Sequence, residues 1–177
     1  MSALQYLVDT LLTMYLYVLI LRFVMQLSRA DFRNQIAHAV VLVTNPVILP
    51  LRKVLPPIGK LDTASVVAIL VFAALIVAAT PLIMQGILLD PLTWLRWTIL
   101  TLIRSFITFY TGAIVIYVIL GWVVPAGYSP PMALLATICE PVLKPVRRLI
   151  PPIGGIDLTP LWVTLAFGVI LRLLPVA

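Results

Sequence analysis

Residues 45–62 read NPVILPLRKVLPPIGKLD, and residues 140–157 read EPVLKPVRRLIPPIGGID. The two stretches align without a gap, and nine of the eighteen paired positions are identical: Pro46/Pro141, Val47/Val142, Pro50/Pro145, Arg52/Arg147, Pro56/Pro151, Pro57/Pro152, Ile58/Ile153, Gly59/Gly154 and Asp62/Asp157. Most remaining pairs exchange one aliphatic residue, or one cation, for another. A motif of this length returning once marks a tandem duplication, so the architecture has to be divisible into two copies of one unit.

The unit is a membrane unit. A chain of 177 residues that is 63% hydrophobic and 10% charged, with mean hydropathy +1.17, carries more apolar surface than one soluble core can hide. Twelve Lys and Arg against six Asp and Glu give a net charge of +6. In a membrane chain this excess is read topologically, as loops held on the cytoplasmic side against anionic headgroups, rather than as a surface that binds nucleic acid directly. The first residues, MSALQYLVDTLL, lack a basic leader region and a small-residue cleavage site, so the first segment is expected to stay as an anchor.

Taken in order, residues 4–27 are long enough to cross a hydrocarbon core of roughly 30 Å. Asp9 and Arg22 lie toward its two ends and read as interfacial anchors, with Arg22 deep enough to want a polar partner. Residues 32–44 place Ile36, Ala37, Val40, Val43 and Thr44 on one face, which predicts a short amphipathic helix on the membrane surface. His38 on this piece reads as an interfacial polar group. In the motif, Asn45 is expected as the N-cap of a new short helix with Pro46 in its first turn, Pro50 inside it and Arg52 and Lys53 at its C-terminal end. Pro56 and Pro57 stop that helix, Gly59 permits the turn, and Asp62 is expected to cap the second crossing over residues 63–84.

The connection that follows has no Lys or Arg. The 33 apolar residues from Leu92 to Val124 are too many for one upright crossing, so they divide into an interfacial helix over 92–102 and a third crossing over 103–124. Residues 130–139 repeat the surface helix, and Glu140, Pro141, Pro145, Arg147, Pro151, Pro152, Gly154 and Asp157 repeat the motif, with Lys144 and Arg148 as further cations. Asp157 is expected to cap a fourth crossing that starts at Pro160 and runs toward Arg172. Gly112, Gly121 and Gly168 are read as sites of close helix packing.

The expected fold is an all-α membrane protein: four transmembrane helices as two tandem same-orientation repeats, 1–90 and 91–177, the second with 91–102 as an interfacial lead-in. Each repeat carries an amphipathic surface-helix hairpin between its two crossings. Five cations in the first motif loop and three in the second, with none in the other connection, place the motif loops in the cytoplasm and both termini outside.

Arg52 with Asp62, and Arg147 with Asp157, flank the turn in both copies, and closing the hairpin would bring each pair together as a clamp. Enzyme constellations are missing. There is one His, one Glu, one Cys and no Gly-rich phosphate loop, so no catalysis, cofactor or metal is expected.

With its NP or EP start, its Pro-x-Arg-Arg/Lys core and its PPIGGID ending, the repeated pattern resembles the YggT family of bacterial and plastid integral membrane proteins, in the two-repeat form. Lys53 and Lys60 of the first copy depart from it, where the second has Arg148 and Gly155. One-repeat relatives similar to the YlmG proteins imply that two such units associate and that this chain is a fused pseudo-dimer, with a homo-oligomer of it left open. The resemblance implies the bacterial inner membrane and links to osmotic-shock tolerance, cell division or nucleoid organisation and, in plastids, cytochrome b6 maturation. The expectation is therefore a non-enzymatic scaffold or assembly factor. Arg52, Lys53, Lys144, Arg147 and Arg148 would touch anionic lipid or other membrane proteins; the alternative is a small channel or transport-associated protein of the osmotic-stress response.

Overall fold

A computed structural model describes residues 3–59, 61–123, 129–150 and 157–175. Six helices follow one another: α1 Ala3–Leu27, α2 Gln35–Val54, α3 Thr63–Gln85, α4 Pro91–Val123, α5 Pro130–Leu149 and α6 Thr159–Leu173. Among the described residues the sole β pairing is an isolated bridge between Ile58 and Leu61.

Four helices, α1 to α4, are long and apolar enough to cross a membrane. Their outward faces agree with that. Leu4, Leu7, Leu11 and Met14 of α1, Leu70, Leu75 and Leu82 of α3, and Leu95, Ile99, Ile116 and Ile119 of α4 are all exposed. Water would not tolerate an apolar surface of this extent, whereas acyl chains would. α6 is apolar but has 15 residues, about 22 Å of helix against a core of roughly 30 Å.

α1 packs on α2 and α3, and α2 on α3; α4 packs on α5 and α6, and α5 on α6. α4 also reaches α1 and α3, and α5 reaches α1 and α2. The larger core lies in the first half. There Leu16, Leu19, Ile20 and Val24 of α1 meet Ala37, Val40 and Ile48 of α2 and the small residues Ala64, Ala68 and Ala73 of α3. A smaller cluster joins Ile114 of α4 to Cys139 and Leu143 of α5 and Val163 of α6.

Several expectations change. α2 is one continuous helix that runs through Pro46 and Pro50, and α5 runs through Pro141 and Pro145. Each internal proline removes one backbone donor, yet a long amphipathic helix anchored by its buried face absorbs that loss. Asn34, not Asn45, caps α2, its Oδ1 accepting from the Ile36 amide at 3.0 Å. The buried stripe of α2 is Ala37, Val40, Thr44 and Ile48, while Ile36 and Val43 face outward. α4 is unbroken where a division near residue 102 was expected, and its 33 residues extend about 50 Å, so it must tilt or project beyond the hydrocarbon. Arg22 is 4% exposed, so it is a buried group and not a snorkelling anchor. Asp9 accepts a hydrogen bond from Thr80 at 3.3 Å, which ties α1 to α3. A Cβ placed at Gly112 or Gly168 would meet nothing within 4 Å, so neither glycine is a close-packing site within the described chain.

Candidate functional site

Each motif copy brings its arginine to the aspartate ten residues on, in two related but unequal arrangements. In the first, α2 ends at Val54 and the amide of Leu55 still bonds to the Leu51 carbonyl at 2.8 Å. Pro56 and Pro57 cannot continue the helix. Gly59 adopts φ +60°, a left-handed conformation that glycine enters without strain, and Ile58 and Leu61 exchange two backbone hydrogen bonds of 3.1 Å around it. The chain thereby reverses and delivers Asp62 to Arg52, where Nη2 reaches Oδ2 at 2.6 Å and Nε reaches Oδ1 at 3.2 Å. The Thr63 hydroxyl donates to the Pro56 carbonyl at 2.8 Å and fastens the base of the hairpin.

Asp62 occupies the N-cap position of α3, but its carboxylate makes no capping bond. It accepts instead from Arg52 and from the Ser65 hydroxyl at 2.6 Å. The side chain is 1% exposed, against 40% for Arg52. Burial pushes the Asp62 carboxyl up, but the hydrogen bonds from Arg52 and Ser65 and the positive charge of Arg52 outweigh it, leaving the group below the usual carboxylate range.

In the second hairpin the same arginine has two acids. Arg147 Nε reaches Asp157 Oδ2 at 2.8 Å, while Nη1 and Nη2 take the Glu140 carboxylate at 2.9 and 3.2 Å. Glu140, expected at a helix start, is therefore a clamp residue inside α5, and Tyr117 of α4 donates to it at 3.3 Å. Leu158, not Asp157, takes the N-cap position of α6, and Asp157, one residue before it, accepts from the Thr159 amide at 2.9 Å. Burial raises its carboxyl, but Thr159 and Arg147 bring it below the ordinary value. All three charged side chains are about one-third exposed. Pro151, Pro152 and Gly154 lie outside the described residues.

Beside the first hairpin sits a group that the motif alone does not disclose. Nη1 of Arg22 donates to Thr44 Oγ1 at 2.6 Å, Asn45 Oδ1 at 3.0 Å and the Val41 carbonyl at 3.2 Å. Asn45 thus serves as an acceptor for α1. The available signal was the depth of Arg22 in an apolar run; the identity of its partners was not in that run. At the far end of the molecule Arg104 donates to the carbonyls of Leu171, Leu174 and Pro175, closing the C-terminal turn of α6.

Lys53, Lys144 and Arg148 are exposed and make no ion pair among the described residues. His38 is exposed, and among the described residues no group of His, Cys, Asp and Glu could hold a metal. Cys139 is buried; that burial, together with the nearby Glu140 charge, pushes its thiol up to about 12, so it is not a nucleophile at neutral pH.

A family model described as CCB3/YggT matches residues 1–83 and 96–177. A Pseudomonas aeruginosa protein described as uncharacterized is 39% identical over 96% of this chain and 86% of its own length. The uncharacterized protein YggT of Escherichia coli K12 is 35% identical over 96% of this chain and 88% of its own. An uncharacterized Vibrio alginolyticus protein from the proC 3′ region is 36% identical over 90% of this chain and 86% of its own. No solved structure matches the chain.

Proposed function

The chain belongs to the CCB3/YggT family, and from that premise we propose that it is a non-enzymatic integral membrane scaffold or assembly factor of the bacterial inner membrane. Its halves, 1–90 and 91–177, are two tandem repeats of the same orientation. α2 and α5 lie along the cytoplasmic interface as surface helices, and both termini face outside. Support for this arrangement comes from the matching helix contacts of the two halves, from the sharp segregation of apolar residues on α2 and α5, and from the cations gathered at the ends of both helices.

One observation carries the reading: each motif locks its arginine in an ion-paired hairpin while Lys53, or Lys144 and Arg148, remain exposed beside it. Such a hairpin is a rigid platform that presents positive charge to anionic headgroups or to an acidic face of another membrane protein. Crosslinking and co-purification from native membranes tests it, with wild type compared against a Lys53→Gln, Lys144→Gln, Arg148→Gln triple variant. The scaffold reading expects a stoichiometric membrane partner in the wild type, its loss in the variant, and no ion or osmolyte flux through the reconstituted protein. Motif-dependent flux would overturn it in favour of a small channel of the osmotic-stress response.

A further inference from the structure

The first repeat is short of one anion that the second repeat supplies for itself. In the second, Glu140 and Asp157 flank the single cation Arg147. In the first, the residue aligned with Glu140 is the neutral Asn45, and Asp62 faces two guanidinium groups, the buried Arg22 and the exposed Arg52. These two cations repel each other, and one carboxylate, Asp62, stands against both while hydrogen-bonding to Arg52 alone of the two. A low-dielectric site that holds an uncompensated guanidinium is costly unless an anion joins it.

A cavity of about 450 Å³ lies where that anion would go, lined by Arg22, Gln26, Phe32, His38, Val41 and Arg52. Arg22 makes all its hydrogen bonds through Nη1, which leaves Nε and Nη2 without a partner among the described residues. Arg52 spends Nε and Nη2 on Asp62 and keeps Nη1. The His38 imidazole and the Gln26 amide add two further donors, and Phe32 and Val41 add an apolar wall. The volume falls within the roughly 300–1,000 Å³ of small-ligand sites. Several N–H donors on arginine forks suit the oxygens of a phosphate group better than a single carboxylate or a halide.

We propose that this cavity between α1 and α2 binds a phosphate group, carried by an anionic lipid headgroup or by free phosphate. The site deepens the lipid-contact reading above and rests on it for the placement of α2 at the interface. A phosphate seated there bridges α1 to the first hairpin, doing for Arg22 and Arg52 what Glu140 does for Arg147.

The test is the melting temperature of the purified full-length protein in nonionic detergent. Short-chain phosphatidylglycerol, short-chain phosphatidylcholine and inorganic phosphate are titrated against sodium chloride at equal ionic strength. A saturable upward shift with phosphatidylglycerol alone assigns the site to an anionic headgroup, and a shift of equal size with inorganic phosphate assigns it to free phosphate. Asn45→Glu places the carboxylate of the second repeat beside Arg22 and is expected to weaken the response about tenfold or more. His38→Glu, an exposed change at the cavity wall, is expected to do the same, so the result does not depend on a buried variant folding. The proposal is overturned by a wild-type protein that responds to neither phosphate source beyond the salt control, or by a shift that both variants retain in full. A shift lost in the Lys53, Lys144, Arg148 triple variant but kept in Asn45→Glu overturns the cavity and leaves the surface reading standing. Retention in the triple variant with loss in Asn45→Glu supports the cavity even if the partner experiment fails.

Discussion

Arg147 grips Glu140 with both terminal nitrogens, at 2.9 and 3.2 Å, whereas its counterpart Arg52 gives its paired contact to Asp62. The same ten-residue Arg-to-Asp spacing therefore carries two ion-pair arrangements of different build. In the first the acid is buried and ion-paired to one cation; in the second the cation is shared between two partly exposed acids.

Asp62→Asn should destabilise more than Asp157→Asn. Asp62 accepts three hydrogen bonds in a buried setting, two of them from a charged donor, so its neutralisation is expected to cost about 1–3 kcal/mol. Asp157 is one-third exposed and Arg147 retains Glu140 after its loss, so that change should fall within about 1 kcal/mol. Thermal melts of the two variants in the same detergent check the order.

The pH dependence follows from Asp62 with a definite sign. Its folded carboxyl lies below the unfolded value of about 3.9, so the stability it contributes is complete above that pH and is lost as pH falls through the lower folded value. Wild-type melting temperature should therefore decline on acidification below about pH 4. The decline should be shallower in Asp62→Asn, which has no proton to take up at that position.

Gly59 and Gly112 should respond oppositely to alanine. Neither has a neighbour within 4 Å of a built Cβ, so volume does not separate them; the backbone does. Gly59 sits at φ +60°, where an L side chain costs roughly 1–2 kcal/mol, and Gly59→Ala is expected to lower the melting temperature. Gly112 lies in mid-helix in α4, where alanine is favoured by up to about 1 kcal/mol, and Gly112→Ala is expected to leave stability unchanged or raise it.

Cys139 should not react with maleimide in the folded protein at pH 8. It is buried and its thiol is pushed up to about 12, so almost none is thiolate at that pH. Labelling should begin only when denaturant opens the contact between α4 and α5. Fast labelling of the native protein would show that this interface is not closed.

What the sequence disclosed, and what it did not, divides along the range of the interactions. The motif could be read because its turn is local: Pro56, Pro57 and Gly59 set the backbone within a few residues and bring Arg52 to Asp62. The continuity of α2 and α5 could not, since proline marks a local defect while tertiary burial of Ala37, Ile48, Ile138 and Leu143 decides whether a helix survives it. The continuity of α4 is hidden for a related reason. Trp94 and Arg104 look like interfacial residues, yet Trp94 donates to the Ala74 carbonyl and Arg104 closes the end of α6. Arg22 is the largest gap. Its acceptors lie 19 to 23 residues away on another helix, and no periodicity in α1 points to them.

In the proposed arrangement both hairpins stand on one membrane face and α2 lies along it instead of crossing. Single cysteines at Gln35 and Lys53, the two ends of α2, at Lys144 in α5 and at Asp90 in the α3–α4 connection test this through labelling of intact cells with a membrane-impermeant maleimide. Parallel labelling of inverted vesicles completes the test. Positions 35, 53 and 144 are expected to label only from the cytoplasmic side and position 90 only from outside. Labelling of positions 35 and 53 from opposite sides would make α2 a crossing helix and contradict the paired-hairpin architecture.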